Sequence, residues 1–221
     1  MNTNPIAKII LCYGDSNTWG AIPYTHQRFP INIRWVGILQ DSLGTDYEII
    51  SEGLPGRTFS AHNPEIPRHT GIAHLDAILR SHCPLDLIII MLGTNDVKSI
   101  YGLTAQDIAD NLKETIEFIR EKLKGRDPVL PQILVVCPPA VVMPTNNHMD
   151  ESELMLPGVK IFKDLPGLMK EVAEKEHCDF LDAGDFISLK NTDGYHLDEE
   201  DHKKLAIKIE EKIKSIMLSI H

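Results

Sequence analysis

Apolar positions along this chain recur with two different periods. Short apolar runs occur at Lys8–Tyr13, Tyr47–Ser51, Leu85–Leu92, Ile133–Cys137 and Asp179–Leu181. The third, "LDLIIIML", is apolar nearly throughout and rich in β-branched residues, the pattern of a strand covered on both faces. Between the runs the apolar residues fall at helical spacing. Val36, Leu39 and Leu43 mark a first helix, and Ile72, Leu75, Ile78 and Leu79 a second. A third opens with the capping-box pattern Thr104-x-x-Asp107 and continues through Ile108, Leu112, Ile116, Ile119 and Leu123. A fourth is expected from about Val159 to Glu176, kinked or split at Pro166-Gly167. The last begins near Asp198, which is placed to cap it, and carries Leu205, Ile209, Ile213 and Ile216.

Strand and helix alternate throughout. That order predicts an α/β fold: a three-layer α/β/α arrangement around a mostly parallel five-stranded sheet, flavodoxin-like in outline, with right-handed crossovers. No linker, repeat or low-complexity segment interrupts it, so residues 1–221 read as a single domain. Two loops are long, Ala21–Asn32 and Pro138–Gly158, and long loops in compact domains are often functional.

Composition narrows the partners. The formal net charge is -10, from 22 Lys+Arg against 32 Asp+Glu. This argues against nucleic acid, which needs a basic footprint, and against a polybasic membrane anchor. No apolar run approaches the length of a membrane span. There is no signal-peptide pattern, so a cytoplasmic, reduced protein is expected. Cys12, Cys83, Cys137 and Cys178 form no C-x-x-C pair and read as buried free thiols in preference to disulfides.

In an open parallel sheet, ligands bind beyond the carboxyl ends of the strands. The chemistry sits there. The first run ends in Gly14-Asp15-Ser16-Asn17, the second in Glu52-Gly53-Leu54-Pro55-Gly56-Arg57, and the third in Gly93-Thr94-Asn95-Asp96. After the fifth comes Thr192-Asp193-Gly194-Tyr195-His196-Leu197-Asp198. Together they supply a hydroxyl, a glycine amide, a side-chain amide, an imidazole and a carboxylate, the parts of acyl transfer through serine. Each also has a plainer reading: Ser16 as a turn residue, Gly56 as the glycine of a type II Pro-Gly turn, Asn95 as a loop cap, and His196 as an exposed histidine.

Four such blocks in this order resemble the SGNH (GDSL-like) hydrolase family, named for Ser, Gly, Asn and His. Here these are Ser16 in "GDSN", Gly56 in "EGLPG", Asn95 in "GTND" and His196 in "DGYH". "GDSNTWG", "RWVGIL", "IIMLGTND" and "DGYHLD" are most similar to the arylesterase/acyltransferase branch. Asn17 departs from the older pattern, which often has leucine there.

The resemblance implies that Ser16 is the nucleophile and His196 its general base. Asp193 orients the imidazole, an assignment that the i,i+3 spacing within one loop also allows. Asp182 is the reserve candidate. The implied oxyanion donors are the Ser16 N–H, the Gly56 N–H and the Asn95 side chain. Asp15 and Asp96 read as structural acids that hold the loops, in preference to a direct role.

His62, His69, His74 and His82 match no metal-site spacing, so neither metal nor cofactor is expected. Trp19, Ile22, Pro23 and Phe29 in the first long loop, and Val141, Val142, Met143, Met155 and Leu156 in the second, either wall a small acyl pocket or belong to core or interface. The resemblance implies a small-molecule ester substrate with a short acyl group, acetyl to butyryl on aryl or alkyl alcohols. It also implies acyl transfer to alcohols and a homo-oligomer, an octamer being one expected form. A sugar O-acetylesterase, a lysophospholipase or a thioesterase fits the same fold. An inactive binding module, or a nucleotide-binding domain of flavodoxin type, has less support: the parts of catalysis are all present, and no phosphate-binding loop is.

Overall fold

In the computed structural model, residues 2–126, 129–143 and 154–218 are described; residues 144–153 of the second long loop lie outside them. The strands are β1 (Lys8–Gly14), β2 (Tyr47–Gly53), β3 (Leu87–Met91), β4 (Gln132–Cys137) and β5 (Asp179–Asp182). They form one sheet in the order β2-β1-β3-β4-β5, with every pairing parallel. The helices are α1 (Ser16–Trp19), α2 (Trp35–Leu43), α3 (Gly71–His82), α4 (Ala105–Leu123), α5 (Gly158–Ile161), α6 (Leu165–Lys175) and α7 (Glu199–Leu218).

Successive strand residues point to opposite faces, so each strand feeds two cores. Leu11, Tyr13, Ile88, Ile90, Val135 and Cys137 pack with α3, α4 and α6 on one face. Ile10, Cys12, Ile89, Met91, Leu134 and Val136 pack with α2 and α7 on the other. This is why the central strands read as unbroken apolar runs. The three-layer α/β/α fold with a parallel five-stranded sheet is as expected.

The capping box of α4 is made in both directions between Thr104 and Asp107. Asp198 caps α7 by accepting from the Asp201 N–H at 2.9 Å. The fourth helix is divided, but at Phe162–Asp164; Pro166 sits in the first turn of α6, where its missing N–H costs nothing. Cys12 and Cys137 are buried free thiols, whereas Cys83 and Cys178 are half-buried. Among the described residues, no helix is long and apolar enough to cross a membrane.

Candidate active site

The parallel register sets the rim. Gly14 pairs with both Gly53 and Met91, so β1, β2 and β3 end level with one another. The Ser16, Gly56 and Asn95 blocks therefore leave the sheet side by side.

Directly after β1 the chain turns into α1, a single helical turn. Asp15 caps it through Oδ1, which accepts from the Asn17 N–H at 2.9 Å, and Gly20 ends it at φ 94°. Ser16 is the first helical residue, so its N–H has no partner within the helix. α1 lies hard against the strand ends. A Cβ on Gly14 would come within 2.1 Å of Thr18 Oγ1, and one on Gly53 within 2.2 Å of the Trp19 backbone nitrogen. Close packing, more than an unusual turn, is what requires glycine at these two positions.

The Asp193–His196 loop reaches back over α1. The Ser16 hydroxyl oxygen lies 3.0 Å from His196 Nε2. His196 Nδ1 lies 2.8 Å from Asp193 Oδ2, and Asp193 Oδ1 accepts from the His196 N–H at 2.9 Å. With Nδ1–H donating to the carboxylate, Nε2 presents its lone pair to the serine hydroxyl. Burial pushes the Asp193 carboxyl up, but the hydrogen bonds from His196 and the Tyr24 N–H outweigh it. Its pKa falls below the ordinary carboxylate value, which keeps it ionised at neutral pH. Such a chain can draw the proton from Ser16 as its oxygen attacks a carbonyl. Asp182, the reserve acid, instead caps a short turn by accepting from the Gly184 N–H.

Gly56 is the third residue of a type II turn: φ is 81°, and the Arg57 N–H donates to the Leu54 carbonyl at 3.1 Å. The turn reading and the donor reading are compatible, because this turn leaves the Gly56 N–H unengaged among the described residues. The His69 ring lies across the same glycine, 2.5 Å from where a Cβ would stand. Burial, then Arg68 and Lys98, lower the pKa of this imidazole.

Asn95 Nδ2 donates to the Arg57 carbonyl at 3.1 Å and lies 3.4 Å from Asp15 Oδ2. The first bond is firm. The second is long, so that proton can turn toward a stronger acceptor. Asp15 and Asp96 are both buried and hold loops together, Asp96 by accepting from the Phe59 N–H at 3.0 Å. Burial raises the Asp15 carboxyl to about 6 and the Asp96 carboxyl to about 7.

The proposed pocket residues divide. Phe29 is buried and stands edge-on to the buried ring of His202, 5.5 Å between centroids. Met155 is buried in the core cluster that includes Val97 and Val141. The core alternative describes these two. Trp19 and Ile22 are half-buried, with the Arg28 guanidinium 5.0 Å above the Trp19 ring. No cluster of three or more metal-ligating side chains occurs among the described residues.

Three contributors escaped the sequence reading. The Tyr24 N–H donates to Asp193 Oδ2 at 3.0 Å from the tip of the first long loop. Arg57 ties the Gly14 and Glu52 carbonyls together with its guanidinium. Asn17 bonds the backbone on both sides of His196. Backbone donors leave no side-chain signature, and the partners of Asn17 lie at the far end of the sequence.

Comparison with known proteins identifies the family and the fold. The model of the GDSL-like lipase/acylhydrolase family matches residues 12–204. The aryl esterase of M. smegmatis, in an inhibitor-bound structure, is 35% identical with a TM-score of 0.88, over 95% of this chain and 99% of that one. Est24, a carbohydrate acetylesterase from Sinorhizobium meliloti, is 37% identical with a TM-score of 0.88 over the same shares. A carbohydrate acetylesterase family member from that organism is 32% identical with a TM-score of 0.85, over 94% of this chain and 98% of that one. No curated protein sequence matches.

Proposed function

The chain belongs to the GDSL-like lipase/acylhydrolase (SGNH) family and is a carboxylic ester hydrolase, and from that premise we propose that it cleaves short-acyl esters through an acyl-enzyme on Ser16. One observation carries the reading: the unbroken hydrogen-bonded chain from Ser16 Oγ through His196 to Asp193.

Ser16 Oγ attacks the ester carbonyl carbon while its proton passes to His196 Nε2. Asp193 stabilises the imidazolium that results. Negative charge gathers on the former carbonyl oxygen, where the Ser16 and Gly56 N–H groups and Asn95 Nδ2 act as donors. The C–O bond to the alcohol then breaks, and the alcohol leaves with the proton from His196. Water repeats the sequence: its oxygen bonds the acyl carbon as its proton passes to His196, the bond from that carbon to Ser16 Oγ then breaks, the acid leaves, and His196 returns the proton to Ser16. No metal or cofactor enters any of these steps.

An alcohol taking the place of water would give a new ester, so acyl transfer is part of the proposal. Trp19, the last residue of the nucleophile's helix, and Ile22 just beyond it are half-buried and are the pocket walls we retain. The whole chain acts as one SGNH hydrolase domain, cytoplasmic and assembled as a homo-oligomer, to be tested by light scattering. A sugar O-acetylesterase is the second reading, on the likeness to the two Sinorhizobium meliloti enzymes. Turnover of p-nitrophenyl esters of rising chain length, beside acetylated sugars, separates these. A preference for acetyl and butyryl aryl esters supports the first, preference for acetylated sugars the second, and preference for long chains contradicts both. A new ester formed from an acyl donor and an alcohol in water supports transfer; hydrolysis alone overturns it.

A further inference from the structure

Asn17 stands where the family pattern often has leucine, and its amide has two well-defined partners. Nδ2 donates to the Tyr195 carbonyl at 3.0 Å, and Oδ1 accepts from the Leu197 N–H at 3.0 Å. Turning the amide over would face oxygen with oxygen and N–H with N–H, so only this orientation satisfies both ends. Asn17 is buried, 2% exposed as a residue. Its own N–H is held by Asp15 Oδ1 at 2.9 Å, which fixes the residue at its root.

The two partners are the immediate neighbours of His196, and Asn17 is the immediate neighbour of Ser16. The amide therefore closes a ring across the site: Ser16 to Asn17 by a peptide bond, Asn17 to residues 195 and 197 by hydrogen bonds, and His196 back to Ser16 at 3.0 Å. Asp193 restrains the same histidine differently, through the ring nitrogen and the His196 N–H. Asp193 thus sets the rotation of the imidazole, and Asn17 sets where its backbone stands relative to the nucleophile's helix.

We propose that Asn17 is a positioning residue: its bidentate amide bonds to the backbone flanking His196 set the separation of imidazole and serine hydroxyl. The inference rests on the reading of Ser16 as nucleophile and His196 as base. A displacement of about 1 Å between reacting groups can cost on the order of 100-fold in rate. Loss of the clamp is therefore expected to lower turnover by about 10- to 100-fold.

The test compares wild type, Asn17→Leu and Ser16→Ala. Leucine has the same branching and number of side-chain heavy atoms and deletes both bonds; the smaller Asn17→Ala serves in its place if the leucine protein does not fold. Active sites are counted by the p-nitrophenol released at completion by a p-nitrophenyl phosphonate, which also reports the rate at which Ser16 Oγ attacks phosphorus. The proposal expects kcat per active site and the phosphonate rate constant to fall together by about 10- to 100-fold, with KM for p-nitrophenyl acetate within about twofold of wild type. Unchanged rates per active site, whatever the melting temperature, would make Asn17 merely structural and overturn it. A raised KM with kcat preserved would also overturn it, assigning the residue to the pocket. If wild type is no faster than Ser16→Ala, the underlying esterase reading fails instead.

Discussion

Asn95 is the residue at which three loops meet. Its amide touches the Arg57 carbonyl of the Gly56 loop and the Asp15 carboxylate of the Ser16 loop while standing in its own. The amide ties these loops together, and in the proposed mechanism it also donates to the developing oxyanion. Removing one oxyanion donor costs about 10²–10³ in kcat. Asn95→Ala should show a loss of that size in p-nitrophenyl acetate turnover, with KM little changed; an activity within about twofold of wild type would remove Asn95 from the donor set. Single residues of this kind were legible in the sequence because their types are chemically distinctive and follow predicted strands. Asn17 was visible only as an oddity, since what it holds is backbone that lies 178 to 180 residues away in sequence. Phe29 and Met155 are the opposite case: apolar residues near a motif carry no mark that separates pocket wall from core.

The elements divide by length in the same way. Long periodic helices and buried strands could be read directly, and they stand where their apolar spacing put them. α1 could not, because four residues are too few to show a period, and its cap and glycine end read equally well as a turn. Yet α1 carries the candidate nucleophile, and the sheet edge beneath it is shaped to receive it. Gly53 faces the Trp19 backbone, which cannot move aside as a flexible side chain would. Gly53→Ala should therefore displace α1 from the strand ends. Overpacking of this kind costs about 1–3 kcal/mol, and kcat should fall as well because Ser16 moves. Chemical denaturation together with turnover checks this, and an alanine protein matching wild type in both would contradict it. The first long loop is a tight hairpin-like excursion, not a slack connection: the Ile22 N–H bonds the Gln27 carbonyl, the Phe29 N–H bonds the Gly20 carbonyl, and Tyr24 at its tip grips Asp193. Its length in sequence marked it as functional; its grip on the acid depends on a backbone N–H at φ 62° that no side-chain pattern announces.

At the scale of the whole molecule, a parallel sheet is what turns four dispersed blocks into one site. It also buries two acids beneath that site, with a consequence for pH dependence. An ordinary aspartate titrates near 3.9, whereas burial raises Asp15 to about 6 and Asp96 to about 7. Between those limits the folded state holds more protons than the unfolded chain, so these groups favour folding at low pH. That contribution is lost as pH rises through about 6 to 7. Asp193 works in the opposite sense, its contribution being present above the ordinary carboxylate range and lost as pH falls below it. Asp96→Asn should melt closer to wild type, or above it, at pH 8 than it does at pH 5. A difference in melting temperature independent of pH would show that Asp96 does not titrate in this window. A covalent route through Ser16 leaves an acyl-enzyme that can be trapped by quenching in acid during turnover of p-nitrophenyl acetate and located by mapping the modified peptide by mass spectrometry. One acetyl group is expected, on Ser16, present in wild type and absent from Ser16→Ala, which should also lose turnover by roughly 10⁴-fold or more. Acetyl on another residue, or undiminished turnover by Ser16→Ala, would contradict it.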